Sequence, residues 1–202
     1  MKLYYTPGTC AQASHIALRE AGLDCGLEKV DLATKRTQSG NDYLAINPNG
    51  YVPALEIKPG LILTEGPAIL QYIADQAPAA KLAPPNGSIE RYQLQSWLNF
   101  ITAEIHKSFS PLFNPNSAPQ TKEAFKELLG KRFGRVEQHL AHQEYLLAGG
   151  FSVADAYLFV TSGWCGSVDI DLKKWPALVA FRQRIEARPS VQQALREEGL
   201  AK

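Results

Sequence analysis

The sequence predicts two unlike halves, an α/β unit followed by an all-helical one, and three observations carry that expectation. Short apolar runs alternate with helical patterns over the first 80 residues, a turn-rich break follows between Ala77 and Gly87, and beyond it apolar residues recur only at helical spacing. With 202 residues, 45% of them apolar, the chain is long enough for two small cores. The expected division is 1–80 for the α/β domain, 81–87 for the linker and 88–202 for the helical domain.

Leu3 to Tyr5 reads as a strand, Pro7-Gly8-Thr9 as a turn, and Cys10 to Ala21 as a helix with Ile16, Ala17 and Leu18 in its apolar set and Gly22 as its stop. A second strand at Leu27 to Val30 makes a strand-helix-strand unit, which requires parallel strands joined by a crossover. A loop with Lys35 and Arg36 leads to a short helical turn near Tyr43. Ala54 to Ile57 and Leu61 to Thr64 flank Lys58-Pro59-Gly60 as a hairpin. Glu65-Gly66-Pro67 then opens a helix in which Ala68, Ile69, Tyr72 and Ile73 share a face. The order is βαβαββα, one sheet with helices on its faces.

In the second half, Leu94, Trp97, Leu98, Ile101 and Ile105 fall at helical spacing between Ser88 and Phe109, while a polar stripe runs through Gln95, Asn99, Ala103 and His106. A long helix follows through Phe125, Leu128, Leu129, Phe133, Val136 and Leu140. Ser152 with Asp155 three residues on is a capping-box variant ahead of Ala156 to Trp164. Pro176 and Pro189 sit where a first helical position tolerates proline, so two short helices close the chain.

Bulk properties exclude several classes. Net charge is +1, with 21 basic and 20 acidic side chains intermixed, so neither nucleic acid nor a membrane surface is an expected partner. The first residues lack an apolar segment of signal-peptide length, and no window approaches the roughly 20 apolar residues of a membrane span, so a cytoplasmic location is expected. Cysteines at 10, 25 and 165 form neither a disulfide framework nor a metal-ligand spacing, and His139 with His142 lacks a third ligand, so no metal is expected. Cys25 and Cys165 read as structural thiols, His15 as a polar anchor and Asp155 as a cap.

The chemistry concentrates in Asn47 to Gly66 and at Cys10. Val52-Pro53 is a candidate cis peptide that would leave the Val52 backbone groups unpaired and outward, where an extended peptide can add as a strand. Glu65-Gly66 at a helix start sets a carboxylate beside backbone donors, a pairing that suits a free amino-acid head, although an ordinary helix cap after a hairpin has the same pattern. Cys10 falls in the first turn of a helix, where amides and the helix dipole should lower its pKa, the alternative being a small buried apolar cysteine. Position 13 is Ala, so a Cys-x-x-Cys redox pair is absent, which leaves Cys10 a mixed disulfide or a hydrogen bond to another thiol.

Tyr-x-x-Pro-Gly-x-Cys ending at Cys10, Asn-Pro-x-Gly-x-Val-Pro-Ala-Leu at 47 to 55, Leu-Thr-Glu-Gly at 63 to 66, Trp-Leu-Asn at 97 to 99, Glu-Ile-His-Lys at 104 to 107 and Ser-Val-Ala-Asp-Ala-Tyr at 152 to 157 together resemble a bacterial beta-class glutathione transferase over the whole chain. The resemblance implies a thioredoxin-like first domain, an all-helical second domain, a homodimer and no cofactor beyond glutathione as co-substrate. It also implies that Cys10 and His106 tune the glutathione thiolate for attack on a small electrophile, His106 acting as donor or cation. Val52 would pair with the cysteinyl unit, Glu65 and Gly66 with the γ-glutamyl end, and Lys35 with the glycyl carboxylate. Asn99, Ala103, Glu104, Ile105 and His106 match the second-domain part of the family's site. Family members commonly carry Ser after this Cys; here it is Ala11, so Thr9, Tyr5 or His106 would have to supply the missing donor. Phe109, Phe113 and Trp164 are expected near the electrophile. The rival readings are a disulfide reductase in which Cys10 becomes glutathionylated, and a non-catalytic ligand carrier or scaffold.

Overall fold

The first strand of the computed structural model, which describes residues 1–201, is β1 (Lys2–Tyr5), with Leu3, Tyr4 and Tyr5 buried. Helix α1 (Ala11–Glu20) returns the chain to β2 (Gly26–Asp31), which lies parallel to β1 as a crossover requires. A two-residue strand β3 (Arg36–Thr37) then pairs antiparallel with β2. The periodicity does not show it, because two residues are too few to alternate. The turn near Tyr43 is a single 3₁₀ turn, Tyr43–Ala45, capped by the Asp42 side chain, which accepts from the Leu44 N–H.

The expected hairpin forms as β4 (Ala54–Lys58) and β5 (Leu61–Thr64), and α2 (Gly66–Gln76) follows. The sheet has five strands in the order β3-β2-β1-β4-β5, with β4 antiparallel to β1. It is mixed because a hairpin, unlike a crossover, returns its second strand antiparallel.

By packing, the chain forms two units: Met1–Ala83 with the segment from Ala187 onward, and Pro84–Glu186. The chain thus passes between units inside the turn-rich break, but the C-terminal segment packs with the α/β unit, unlike the contiguous division at 88–202. The element responsible is α8 (Pro189–Glu197), which lies against α1. Its first end is tied by Arg188, whose Nε and Nη2 donate to the two Glu20 carboxylate oxygens at 2.6 and 2.8 Å.

The second unit opens with α3 (Ile89–Phe100), N-capped by the Ser88 hydroxyl, which accepts from the Arg91 N–H. The continuous helix expected from Ser88 to Phe109 is interrupted: Ile101–His106 is a π-helical turn, Lys107–Phe109 a 3₁₀ turn, and α4 (Ser110–Phe113) follows. A π turn admits one extra residue per hydrogen-bonded ring, so a stripe drawn at 3.6-residue spacing does not continue straight through it. Helices α5 (Pro119–Leu140), α6 (Val153–Gly163) and α7 (Pro176–Glu186) complete the unit. Asp155, fully buried, accepts from the Ser152 N–H and hydroxyl and from the Leu146 N–H, so the capping role read from its spacing holds. Cys25 and Cys165 are buried, and burial raises both thiols.

Candidate active site

In the α/β unit the chemistry-bearing residues gather where β1, the loop before β4 and the start of α2 end. Cys10 is the N-cap of α1 and half-buried, held by a turn in which the Thr9 N–H and hydroxyl both donate to the Thr6 carbonyl. The Thr9 hydroxyl proton is thereby committed and is not a free substitute for the Ser that Ala11 replaces. The Cys10 thiol donates to the Val52 carbonyl at 3.2 Å.

The helix-start position predicts a lowered thiol pKa, and the structure overturns that. Burial pushes Cys10 up to about 11, the Cys10 and Ala11 amides opposing the rise and the Glu65 charge adding to it. Stripping water from a thiolate costs more than two amides return. Cys10 therefore rests as a neutral thiol, with a thiolate fraction of about one in ten thousand at pH 7. It is a hydrogen-bond donor first and a nucleophile second.

The loop from Asn47 to Val52 is pinned from below. Tyr43, fully buried, donates its hydroxyl to the Tyr51 carbonyl at 2.7 Å, and Asn47 Nδ2 donates to the same oxygen at 2.8 Å. Lys35 Nζ donates to the Gly50 carbonyl at 2.8 Å, which leaves two of its ammonium protons for a ligand anion. Gly50 must be glycine: its φ is +65°, and a Cβ there would meet Leu44 Cδ2 at 3.1 Å and Lys35 Nζ at 3.3 Å. The Val52-Pro53 bond is cis. Only half of the expected strand-pairing edge is free, since the Val52 carbonyl is taken by Cys10 while its N–H meets no acceptor among the described residues.

Glu65 is the N-cap of α2 by position, yet its side chain caps nothing. Its backbone lies at φ 69° and ψ 116°, a region that residues other than glycine rarely occupy. Glu65 is exposed, and its carboxylate makes no hydrogen bond to the amides it would ordinarily satisfy. The helix start therefore presents the Gly66 N–H and a carboxylate as two separate binding groups of opposite preference.

In the helical unit the site residues are placed less uniformly. Asn99 and Ala103 are exposed, and His106 is half-buried. The Glu104 carboxylate is occupied by Arg132 Nη2 at 2.6 Å. Ile105 is fully buried, so its side chain is core. His106 Nδ1 lies 2.6 Å from the Tyr157 hydroxyl, and its ring meets the edge of Trp164 at 4.9 Å. Burial, with the Lys107 charge adding, pushes His106 down to about 4. The cationic role is thus overturned, and His106 is a neutral imidazole near pH 7. In the tautomer whose Nδ1 accepts from the Tyr157 hydroxyl, the ring proton sits on Nε2, where it can be donated. Tyr157 stands in a motif that the sequence reading quotes without giving it this role; no spacing connects positions 106 and 157.

Phe109 stacks on Phe113 at 5.8 Å, and Trp164 meets both edge-on at 5.5 and 5.8 Å. Phe113 is exposed, so this cluster ends in an accessible aromatic surface. His139 packs its ring against Trp97 at 4.9 Å, the structural alternative to a ligand role.

The depressed His106 value gives a stability prediction. The unfolded histidine takes up a proton below about pH 6.5 and the folded one only near 4, so stability is full above 6.5 and falls as pH drops through that window. Denaturant unfolding at pH 7 and pH 4.5 should show a steeper loss in the native chain than in His106→Gln. Equal losses in the two proteins would contradict the neutral assignment.

A thiol at the start of α1, a loop that offers a backbone N–H beside a cis proline, and an uncapped acidic helix start, on a mixed sheet in a chain that also has a helical unit, define a thioredoxin-like glutathione-binding class. Family models confirm it: residues 1–75 match the glutathione S-transferase N-terminal domain and residues 100–189 the C-terminal domain, and the chain belongs to the glutathione S-transferase family. It is 46% identical over 200 residues to the glutathione S-transferase GstA of Escherichia coli O157:H7, covering 99% of this chain and all of that one. Among solved structures it is similar to BphK, a bacterial glutathione transferase seen in a ternary complex, with a TM-score of 0.97 and 59% identity over 99% of this chain and 100% of that one. A beta-class glutathione transferase from Sphingomonas chungbukensis superposes with a TM-score of 0.96 and 49% identity over the full length of both.

Proposed function

We propose that the chain is a glutathione transferase whose α/β unit binds glutathione and whose bound glutathione thiolate attacks an electrophilic, mostly apolar substrate. The observation that carries this is the uncapped helix start at Glu65-Gly66. The γ-glutamyl carboxylate takes the Gly66 N–H and the dipole of α2, and the ammonium takes the Glu65 carboxylate. The cysteinyl unit pairs with the Val52 N–H as an added strand, and Lys35 serves the glycyl carboxylate. As that unit's own N–H claims the Val52 carbonyl, the Cys10 thiol is released to donate to the glutathione sulfur. A donor at the sulfur favours the thiolate there, and the thiolate is the nucleophile.

Asn99, Ala103, Glu104, Ile105 and His106 are assigned to the same function on the family resemblance, His106 as a neutral Nε2–H donor and Ile105 through its backbone. Phe109, Phe113 and Trp164 form the aromatic surface that takes the electrophile, the chemistry of a detoxifying enzyme. A non-catalytic carrier has no need of a glutamate held at positive φ, so the enzyme reading is favoured. Among the described residues no helix is long and apolar enough to cross a membrane, and a cytoplasmic location goes with this reading. Isothermal titration with glutathione tests the binding step: one saturable site per chain is expected, and no heat at millimolar ligand would refute it.

The assembly we propose is a homodimer. Ile89 and Tyr92 of the helical unit and Leu44 and Tyr51 of the α/β unit are large and exposed, with mostly apolar side chains. Light scattering at micromolar concentration should give twice the 22.2 kDa chain mass, and dilution should lower mass and activity together. A fully active monomer would contradict it.

A further inference from the structure

The end of α8 carries two adjacent acids, Glu197 and Glu198, where the helix dipole favours cations. A local preference broken in this way needs a compensating partner. Both acids find theirs on α1 and on the turn before it. Glu198, with its side chain fully buried, accepts through Oε2 from the Gly8 N–H and from Gln12 Nε2, both at 3.0 Å, and Oε1 lies 2.9 Å from His15 Nδ1. His15 is also fully buried, and its Nε2 lies 2.6 Å from a Glu197 oxygen that also accepts from Arg19 Nε at 2.7 Å. A sequence separation of about 190 residues is closed by one carboxylate.

Gly8 is the middle of the turn that delivers Cys10. Its φ of +72° is open to glycine, and its N–H points at the carboxylate. The turn is also held through Thr6, whose hydroxyl donates to the Val30 carbonyl at 2.7 Å. Gln12, the other ligand of Oε2, lies in the first turn of α1 just beyond Cys10. The thiol therefore sits between two anchors of a single buried acid.

We propose that Glu198 is a positioning residue for the Cys10 thiol, fixing the Gly8 turn and the first turn of α1 so that the sulfur faces Val52 and the ligand that binds there. This rests on the glutathione-site reading for its consequence, though not for its test. Glu198→Gln retains the network: its carbonyl oxygen accepts from Gly8 and Gln12, its amide donates to His15 Nδ1, and His15 Nε2–H donates to Glu197. Glu198→Ala removes the acceptor and lets the turn open.

The readout is alkylation of Cys10 by iodoacetamide, followed by mass spectrometry of the Cys10 peptide at several pH values without glutathione. Glu198→Ala should alkylate about tenfold faster or more, the population change that follows from losing one hydrogen bond to a charged acceptor. Glu198→Gln should stay within twofold of the native chain. So should Arg188→Ala, which cuts another tie between α8 and α1, far from the turn. An unchanged rate in Glu198→Ala, equal acceleration in Arg188→Ala, or a Gln variant as fast as the Ala variant would overturn the proposal.

Should the Ala variant not fold, amide hydrogen exchange in the native chain decides: the Gly8 N–H should be protected like the core of α1, and loop-like exchange there refutes the anchor. Failure of the native chain to bind glutathione alongside the expected alkylation pattern would sink the functional reading and leave this one standing.

Discussion

Glu65→Ala weakens glutathione binding by about 1.5–3 kcal/mol, roughly ten- to 150-fold in the dissociation constant, as expected for a charge-assisted hydrogen bond lost from a ligand. Two effects could be confused in that variant. The carboxylate disappears, while alanine must still occupy φ 69°. Glu65→Gly separates them. Glycine adopts that backbone without strain, and this relief offsets the about 0.4–1 kcal/mol that its freer unfolded chain costs, so the fold keeps its stability while the ammonium partner is still missing. Calorimetric binding should then be as weak in the Gly variant as in the Ala variant. A Gly variant that binds like the native chain would show that the helix amides alone hold the ligand and that the carboxylate has no part.

The same residue shows how far the sequence carries. Glu65-Gly66 after a strand and before a helical pattern places an acid at a helix start, but the pattern is shared by an ordinary cap. Only the backbone angle and the absent capping bond separate the two, and neither is a property of spacing. Element types and their order were legible because apolar periods and Gly or Pro stops are local. What escaped was set by distant partners or by geometry finer than the period: β3, whose two residues pair because β2 is there, and the π turn at Ile101–His106, which no composition announces. Cys10 and His106 moved in directions set by burial. A helix N-terminus argues for an acidic Cys10, yet the burial of the thiol outweighs the two amides at that terminus. His106 loses its cationic form for the same reason. The α8 clamp was equally hidden, since His15 reads as a polar anchor but its anchoring acids lie at the far end of the chain.

Cys10→Ala reduces carbon conjugation by about tenfold or less and abolishes glutathione-disulfide exchange. The asymmetry follows from the neutral thiol. In conjugation the attacking sulfur belongs to glutathione, and Cys10 contributes one S–H donor, so its removal leaves the contacts proposed for Glu65, Gly66 and Val52 intact. In disulfide exchange the Cys10 thiolate attacks one sulfur of glutathione disulfide, a protein–glutathione disulfide forms and a glutathione thiolate leaves; alanine has no sulfur to offer. The pH dependence differs as well. With the thiol raised to about 11, the exchange rate should climb about tenfold per pH unit across the neutral range, because the thiolate fraction does. Conjugation should level off earlier, at the pKa of the bound glutathione. Initial rates of aryl conjugation and of disulfide exchange for the native chain and Cys10→Ala between pH 6 and 9, with intact mass to detect the bound glutathione, read both claims. Loss of aryl conjugation with exchange retained would make Cys10 the carbon nucleophile and reverse the roles assigned to the two thiols.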